Sequence, residues 1–170
     1  MTDISIVIPV KNEENSVPEL YDRIRKSMDL MALKYEVIFV TDVNTDKTFE
    51  KLSELNVEDD RFKTIKLSNT FGQHIAALAG LHASRGNAIV IMDGDLQDCP
   101  EDIPALYNKI LEGYDVVYGV KQRKNSSFSR NLLSKMFVAV LNRLSDVKIE
   151  HNTSMFRIIS RRTADEILKF

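Results

Sequence analysis

The fold is decided by the stretch AIVIMDGDLQD, residues 88–98, in which an unbroken apolar run leads directly into a turn that carries three aspartates. The run at residues 88–92 is uninterrupted and partly β-branched, which is typical of a strand buried on both faces of a sheet. Ligands of open α/β sheets bind beyond the carboxyl ends of the strands. The turn at residues 93–98 is therefore a candidate ligand site.

Similar apolar runs alternate with segments of helical period along the rest of the chain. This alternation indicates βαβ units, so we predict an α/β fold with a mostly parallel central sheet and helices on both faces. The predicted strands are residues 4–9, 35–40, 62–67, 88–92 and 115–118. The predicted helices are residues 17–28, 46–55, 73–84, 98–111, 130–144 and 162–170.

Two short patterns predict how helices begin. Ser16-Val17-Pro18-Glu19 and Asp98-Cys99-Pro100-Glu101 both match the capping box, in which the first side chain accepts a hydrogen bond from a backbone amide three residues later. We expect one helix to follow each pattern.

The polar loops that follow the first four strands are expected to share one rim of the sheet, because the carboxyl ends of parallel strands lie at the same edge. These loops are residues 9–15, 41–46, 69–72 and 93–98.

Composition narrows the class of protein. A chain of 170 residues, 44% hydrophobic, suits a single domain, and a formal net charge of -2 predicts no affinity for nucleic acid. Cys99 is the only cysteine, which excludes an intramolecular disulfide and favours a cytoplasmic setting. No apolar stretch reaches the roughly 18 residues of a membrane span, so we expect a soluble chain. The helical pattern still runs at Phe170, which predicts that the natural protein continues.

The acid turn suits a hard divalent cation. Asp93 and Asp95 flank Gly94, and Mg²⁺ or Mn²⁺ commonly binds one or two carboxylates together with substrate phosphates. Gly94 would let the backbone and a substrate come close. The alternative is an acidic surface turn with a helix cap at Asp98. A calcium loop does not fit, since Asp98 stands where that motif needs glycine.

Three motifs then resemble the signatures of family 2 inverting glycosyltransferases of the GT-A fold. They are Ile4 to Glu14 (ISIVIPVKNEE), Val40-Thr41-Asp42 with Asp46, and Asp93 to Glu101 (DGDLQDCPE). The run at residues 115–119 and the basic loop after it are similar to the polyprenyl-phosphate branch, which includes dolichol-phosphate mannose synthases. The resemblance covers nearly the whole chain and implies transfer of a sugar from a UDP- or GDP-sugar to a polyprenyl phosphate.

The resemblance also implies residue roles. Pro9, Lys11 and Glu13 would border the base and ribose of the nucleotide, and Val40 and Asp42 would contact the base. Asp93, Asp95 and Gln97 would bind Mg²⁺ or Mn²⁺, with Asp93, Gly94, Asp95 and Lys121 beside the donor. Without the resemblance, the favoured interpretations are an exposed acid near a helix start for Glu13 and a turn residue for Asp42.

Residues 1–98 would form the nucleotide-sugar half and residues 99–170 the acceptor half. Lys121, Arg123, Arg130 and Ser134 are the candidate partners of the acceptor phosphate, and Asp95, Arg123, Arg130 and Ser134 the candidate catalytic residues. The apolar stripe of residues 132–144 is either core or a surface that touches a membrane, which would place the reaction at the cytoplasmic face. The sequence is compatible with both a monomer and a homo-oligomer.

Three positions depart from the family pattern. Thr41-Asp42-Val43-Asn44 replaces Asp-Asp-Gly-Ser, Met155 stands where the branch has an aspartate, and Lys121 replaces an arginine. A methionine cannot act as a general base, although a phosphate acceptor is already nucleophilic. Transfer to a saccharide hydroxyl, or a nucleotide-sugar-binding module without catalysis, are therefore the alternative functions.

Overall fold

The computed structural model describes residues 2–120 and 153–169. Its strands are β1 (Ile4–Val10), β2 (Tyr35–Thr41), β3 (Phe62–Lys66), β4 (Ala88–Ile91), β5 (Val116–Val120) and β6 (Thr153–Ser160). Its helices are α1 (Val17–Asp29), α2 (Thr48–Glu58), α3 (Gln73–Ala83), α4 (Ile103–Leu111) and α5 (Arg161–Ile167), with a 3₁₀ turn at Pro100–Asp102.

The six strands form one sheet in the order β3-β2-β1-β4-β6-β5. Strands β3, β2, β1 and β4 are parallel, and β6 runs antiparallel between β4 and β5. The mostly parallel α/β sheet is therefore confirmed. Strand β6 was not predicted, and its first residue, Thr153, pairs with Val120 at the end of β5.

Helices cover both faces of the sheet, as predicted. Alternate residues of β1 point to opposite faces, because successive side chains of a strand do so. Ile6 and Ile8 join the larger core cluster together with residues of α1, α2 and α4. Val7 joins a second cluster with residues of α3 and α5. Strand β1 therefore lies between the two helical layers, and its carboxyl end is at the rim where the polar loops lie.

Both predicted capping boxes are wrong. The Ser16 hydroxyl donates to Glu13 Oε2 at 2.7 Å, and α1 begins without a side-chain cap. The Asp98 Oδ2 atom accepts from the Asp93 amide at 2.9 Å, so Asp98 closes the turn that precedes it. Glu101 bonds Arg23 through both carboxylate oxygens. In each case a nearer or better placed partner satisfies the side chain.

At the end of the sheet opposite the rim loops, the buried carboxylate of Glu36 connects neighbouring strands. Glu36 Oε1 accepts from the Ser5 hydroxyl and the Arg85 amide, each at 2.7 Å, and Oε2 pairs with Lys63 Nζ at 2.7 Å. Burial would raise the pKa of Glu36, but these hydrogen bonds outweigh it and lower the pKa.

Within residues 2–120 and 153–169, no helix has the length and apolar character needed to cross a membrane.

Candidate functional site

The carboxyl ends of β1, β2 and β4 and the first turn of α3 enclose a cleft of about 270 Å³. Four loops meet there, as the shared rim of a parallel sheet requires. The cleft is lined by Pro9, Val10, Lys11, Glu13, Asp42, Gly72, Gln73, Ala76, Asp93, Gly94 and Asp95.

The structure brings together most of the donor-side residues singled out in the sequence. Seven of them line the cleft, namely Pro9, Lys11, Glu13, Asp42, Asp93, Gly94 and Asp95. Val40 is wholly buried and packs in a core cluster with Ile38 and Ala76, so its side chain does not reach the cleft. Gln97 is exposed and is not among the lining residues.

Gln73 and Ala76 are cleft residues that sequence reasoning missed. Both belong to the first turn of α3, directly after the predicted rim loop at residues 69–72. The available signal was the position itself, since a helix that starts at a ligand-binding rim presents its first turn to the ligand.

Asp42 is the most unusual group of the cleft. Its side chain belongs to a residue that is only 3% exposed, and its Oδ2 atom accepts a hydrogen bond from the Gly72 amide at 3.0 Å. Its Oδ1 atom is buried and has no hydrogen-bond partner among the described residues. A buried polar atom normally has a partner. The free oxygen therefore indicates a place for a donor group of a ligand.

The loops after β1 and β2 are tied together by two asparagines. The Asn12 amide donates to Asn44 Oδ1 at 2.9 Å, and the Thr45 amide donates to Asn12 Oδ1 at 2.8 Å. Asn12 has a φ of 57°, a left-handed conformation that asparagine tolerates better than most residues. The Asn44 carboxamide also donates to Thr41 Oγ1 at 2.6 Å. Thr41 and Asn44, which depart from the family pattern, thus stabilise this side of the cleft.

Asp46 and Glu14 add a second tie between the same loops. Asp46 Oδ2 accepts from the Glu14 amide at 3.2 Å, and Oδ1 accepts from the Thr48 hydroxyl at 2.7 Å. Burial would raise the pKa of Asp46, but the hydrogen bonds from Thr48 and Glu14 lower it below its ordinary value. The Glu13 amide donates to Thr48 Oγ1 at 2.7 Å. This network fixes the backbone that presents Glu13 to the cleft.

The acid turn lies against the end of β1. A Cβ atom added to Gly94 would stand 2.5 Å from Cγ1 of Val10, so the glycine is required for this close approach. Asp93 is half-buried, Asp95 is exposed, and Asp95 Oδ1 accepts from the Gln97 amide at 3.0 Å. Leu96 completes the turn with a φ of 63°.

The donor set of this turn fits a cation that is shared with a ligand. In the described part of the chain no three His, Cys, Asp or Glu side chains are grouped as metal ligands. Asp93 and Asp95 provide two carboxylates at the cleft, whereas Asp98 is used inside the turn. Mg²⁺ and Mn²⁺ bind to one or two carboxylates and complete their shell with water and phosphate oxygens.

The predicted acceptor residues Lys121, Arg123, Arg130 and Ser134 lie outside the described residues, as do the predicted helix at residues 130–144 and its apolar stripe. Met155 is described, and its side chain packs against the core cluster that contains Ile91 and Ile159.

A second cavity, of about 390 Å³ and mostly apolar, lies beside α3. Its lining includes His74 and Leu78 of α3, Tyr118 of β5 and Arg157 of β6. Neighbouring residues of the first turn of α3 therefore face different cavities, Gln73 the cleft and His74 the apolar cavity.

Residues 5–168 match the family model described as "Glycosyl transferase family 2". Among curated proteins, the chain is 42% identical over 164 residues to the uncharacterized glycosyltransferase YkcC of Bacillus subtilis (strain 168), covering 96% of this chain and 51% of the relative. It is 36% identical over 167 residues to the undecaprenyl-phosphate 4-deoxy-4-formamido-L-arabinose transferase of Proteus mirabilis (strain HI4320), covering 98% and 51%. The chain thus spans about half the length of these relatives.

Two solved structures have a similar fold. The mannosyltransferase PcManGT of Pyrobaculum calidifontis, in complex with GDP-Man and Mn²⁺, has a TM-score of 0.66 and 20% identity, covering 96% of this chain and 46% of that chain. The glucosyl-3-phosphoglycerate synthase of Mycobacterium tuberculosis, in complex with Mn²⁺, UDP and phosphoglyceric acid, has a TM-score of 0.64 and 23% identity, covering 95% and 56%. The expected GT-A fold is confirmed.

Proposed function

This chain belongs to glycosyl transferase family 2, and we propose that it binds a nucleoside diphosphate sugar in the cleft at the end of β1, β2 and β4 and transfers the sugar to a polyprenyl phosphate. The single observation that carries the donor half of this proposal is the free Oδ1 of Asp42. A nucleotide base has N–H groups that can donate to this oxygen, and the acid turn lies across the same cleft. Glu13 lines the cleft too and can accept from the base or ribose.

The diphosphate of the donor would bind at the acid turn, residues 93–98. Asp93 and Asp95 would hold Mg²⁺ or Mn²⁺, with Gln97 as a further oxygen ligand, and the cation would offset the charge of the departing nucleotide. The exposed Lys11 lies at the mouth of the same cleft and can pair with a phosphate. The two structurally similar glycosyltransferases described above were solved with Mn²⁺ and a nucleotide, which supports this assignment.

Two observations support a polyprenyl phosphate as the acceptor. One is the name of a relative, and the other is the methionine at position 155, where the family motif has an aspartate. The relative from Proteus mirabilis is named for transfer to undecaprenyl phosphate. Met155 cannot take a proton, and a phosphate acceptor needs no base because its oxygen is already charged. Lys121, Arg123, Arg130 and Ser134 would hold that phosphate, at the cytoplasmic face of a membrane.

Transfer to a saccharide hydroxyl is the second candidate. A hydroxyl acceptor requires a general base beside it. An assay with the full protein and a radiolabelled sugar donor separates the two candidate functions. It compares transfer of the label to undecaprenyl phosphate with transfer to oligosaccharides. We expect label in the lipid fraction only. Label in the saccharide fraction would favour the second candidate. Donor binding without turnover would favour a nucleotide-sugar-binding module without catalysis.

Calorimetry tests the donor site directly. We expect UDP or GDP to bind in the presence of Mn²⁺, and Asp95→Ala to abolish the metal-dependent part of this binding. Asp102→Asn is the matched control, since Asp102 is an exposed acid in the 3₁₀ turn and is not a cleft residue. Unchanged nucleotide binding in Asp95→Ala would reject the metal assignment.

A further inference from the structure

We infer that the apolar cavity beside α3 binds the hydrocarbon chain of the acceptor, with the Arg157 guanidinium beside the acceptor phosphate. This inference rests on the proposed function, because it takes the acceptor to be a polyprenyl phosphate. It goes further in two ways. It assigns the chain of the acceptor to a particular cavity of the fold, and it gives Arg157 a role in binding.

The cavity combines an apolar lining with access to solvent. Helices α3 and α5 and strands β4, β5 and β6 contribute to its lining, and its volume is about 390 Å³. Three large apolar side chains of the lining are exposed, Ile75 by 48%, Leu78 by 43% and Ile167 by 42%. Exposed apolar side chains that are grouped in one concave surface are typical of a binding site, because a ligand removes them from water. An apolar ligand is therefore expected here.

Arg157 adds a positive charge to this apolar lining. The residue is half-buried, and its side chain forms no hydrogen bond or ion pair with any other residue in the ranges 2–120 and 153–169. An arginine that is partly withdrawn from water is normally paired with an anion. An unpaired guanidinium at an apolar cavity therefore indicates a ligand that has an anionic group on an apolar body.

A prenyl phosphate has both of these features. The planar guanidinium of Arg157 can donate two parallel hydrogen bonds to phosphate oxygens, while the chain covers the apolar lining. The exposed His74 belongs to the same lining and can donate a further N–H. A phosphate on a hydrocarbon chain thus matches the cavity in both charge and polarity, whereas a nucleotide would leave the apolar lining without a partner.

Arg157 also lies near the acid turn. In the antiparallel ladder of β4 and β6 it pairs with Ile91, and Ile91 precedes Asp93 by two residues. Paired residues of a ladder point to the same face of the sheet. Ile91 packs in one cluster with Ala77 and Leu81 of α3. The guanidinium is therefore on the face of the sheet that α3 covers, close to the end of β4 where the cation would bind.

The donor cleft and the apolar cavity adjoin at the start of α3, since Gln73 lines the cleft and His74 lines the cavity. Direct transfer requires that the acceptor oxygen approach the anomeric carbon to about 3 to 3.5 Å. An oxygen of the acceptor phosphate then forms the bond to this carbon while the bond to the nucleoside diphosphate breaks, and the diphosphate leaves with the electron pair. Two ligands on either side of one helical turn can meet in this way.

Calorimetry with the full protein and no donor tests the inference. The probes are farnesyl phosphate, farnesol and inorganic phosphate, each below the concentration at which micelles form. We expect farnesyl phosphate to bind about tenfold or more tightly than either of the others, because only farnesyl phosphate engages both the lining and Arg157. Equal affinities for farnesyl phosphate and inorganic phosphate would overturn the inference. A dimer in sedimentation that does not bind farnesyl phosphate would also overturn it, because a second copy would then cover the cavity.

The failure of this inference is distinguishable from the failure of the proposed function. If UDP binds with Mn²⁺ and label is transferred to undecaprenyl phosphate, but farnesyl phosphate does not bind, only the assignment of the cavity fails. If label is not transferred to undecaprenyl phosphate either, the proposed acceptor fails as well.

Three substitutions separate the parts of the site. Arg157→Gln should weaken binding of farnesyl phosphate about tenfold and leave farnesol unchanged, because only the phosphate contacts the guanidinium. Leu78→Gln should weaken both probes. Leu30→Gln is the control, since Leu30 is 88% exposed after α1 and does not line the cavity. Binding of UDP with Mn²⁺ shows that each variant is folded. Equal affinity of Arg157→Gln and Leu30→Gln for farnesyl phosphate would contradict the inference.

Discussion

The Asp42 carboxylate joins the end of β2 to the start of α3, because its Oδ2 atom accepts a hydrogen bond from the Gly72 amide at 3.0 Å. Gly72 occupies a backbone conformation, φ 85° and ψ 165°, that is almost restricted to glycine. The position of the acceptor atom in the cleft therefore depends on a residue that makes no side-chain contact with it.

Gly72→Ala should lower both stability and nucleotide affinity. We expect a loss of about 1 to 3 kcal/mol in the free energy of unfolding, the usual cost of a strained backbone residue. Gly113→Ala is the control, since Gly113 has a φ of 101° and open space around it but is not a cleft residue. Urea unfolding should show a similar loss for both variants, and calorimetry a loss of UDP affinity for Gly72→Ala alone. Equal affinities in the two variants would contradict this.

Gly94→Ala should push the acid turn away from β1. The added Cβ atom would stand 2.5 Å from Cγ1 of the buried Val10, and overpacking of this kind costs about 1 to 3 kcal/mol. Thermal unfolding with and without Mn²⁺ and UDP measures both the stability and the ligand response. Val10→Ala introduced into Gly94→Ala removes the clash and should restore part of the ligand response. If the double variant responds no better than Gly94→Ala, steric displacement of the turn is not the cause.

Asn44→Ala should weaken nucleotide binding without contacting the nucleotide. The substitution removes the hydrogen bonds to the Asn12 amide and to Thr41 Oγ1. Because each such bond contributes about 0.5 to 1.5 kcal/mol, we expect a comparable loss of stability. Asn12→Ala keeps the Asn12 amide but removes the other tie, from the Thr45 amide to Asn12 Oδ1, so urea unfolding should show a comparable loss of stability for each single variant. Unchanged stability in both variants would mean that the two loops are not tied in solution.

Glu36→Gln should make stability less dependent on pH. The pKa of Glu36 lies below its ordinary value of 4.5, so its charged form stabilises the fold above that value, and this contribution is lost as the pH falls through the lowered pKa. At neutral pH we expect Glu36→Gln to cost about 1 to 3 kcal/mol in urea unfolding, because the hydrogen bonds to a charged group are weakened.

The cost of Glu36→Gln should shrink in acid. Glu112→Gln is the control, because Glu112 pairs with Lys109 on the surface and an exposed pair of this kind contributes little. A difference between Glu36→Gln and the unmodified protein that stays constant with pH would show that the charge of Glu36 is unimportant.

The sequence predicts the sheet better than the ends of its helices. Buried strands such as β1 and β4 are recognisable because an unbroken apolar run has few other interpretations. Strand β6 was missed because its sequence, TSMFRIIS, mixes polar with apolar residues and lacks the unbroken apolar run of β4. The capping boxes failed because Ser16 and Asp98 have competing partners close by in the sequence, the Glu13 carboxylate and the Asp93 amide.

The candidate site was predictable as a rim of loops but not as a set of atoms. The motif that contains Asp42 identifies the residue, and only the packing of α3 against β2 shows that one of its oxygens is used and the other is free. The resemblance implied that Val40 also contacts the base, but its side chain is wholly buried and packs with Ile38 and Ala76 in the core.

The direction of β6 places the end of β5 and the start of β6 side by side at one edge of the sheet. Val120, the last residue of β5, pairs with Thr153, the first residue of β6. Because β6 runs antiparallel to β4, its first half lies beside the carboxyl end of β4, where Ile91 pairs with Arg157. The rim of the sheet beside the cleft is thus formed by an antiparallel pair as well as by parallel strands.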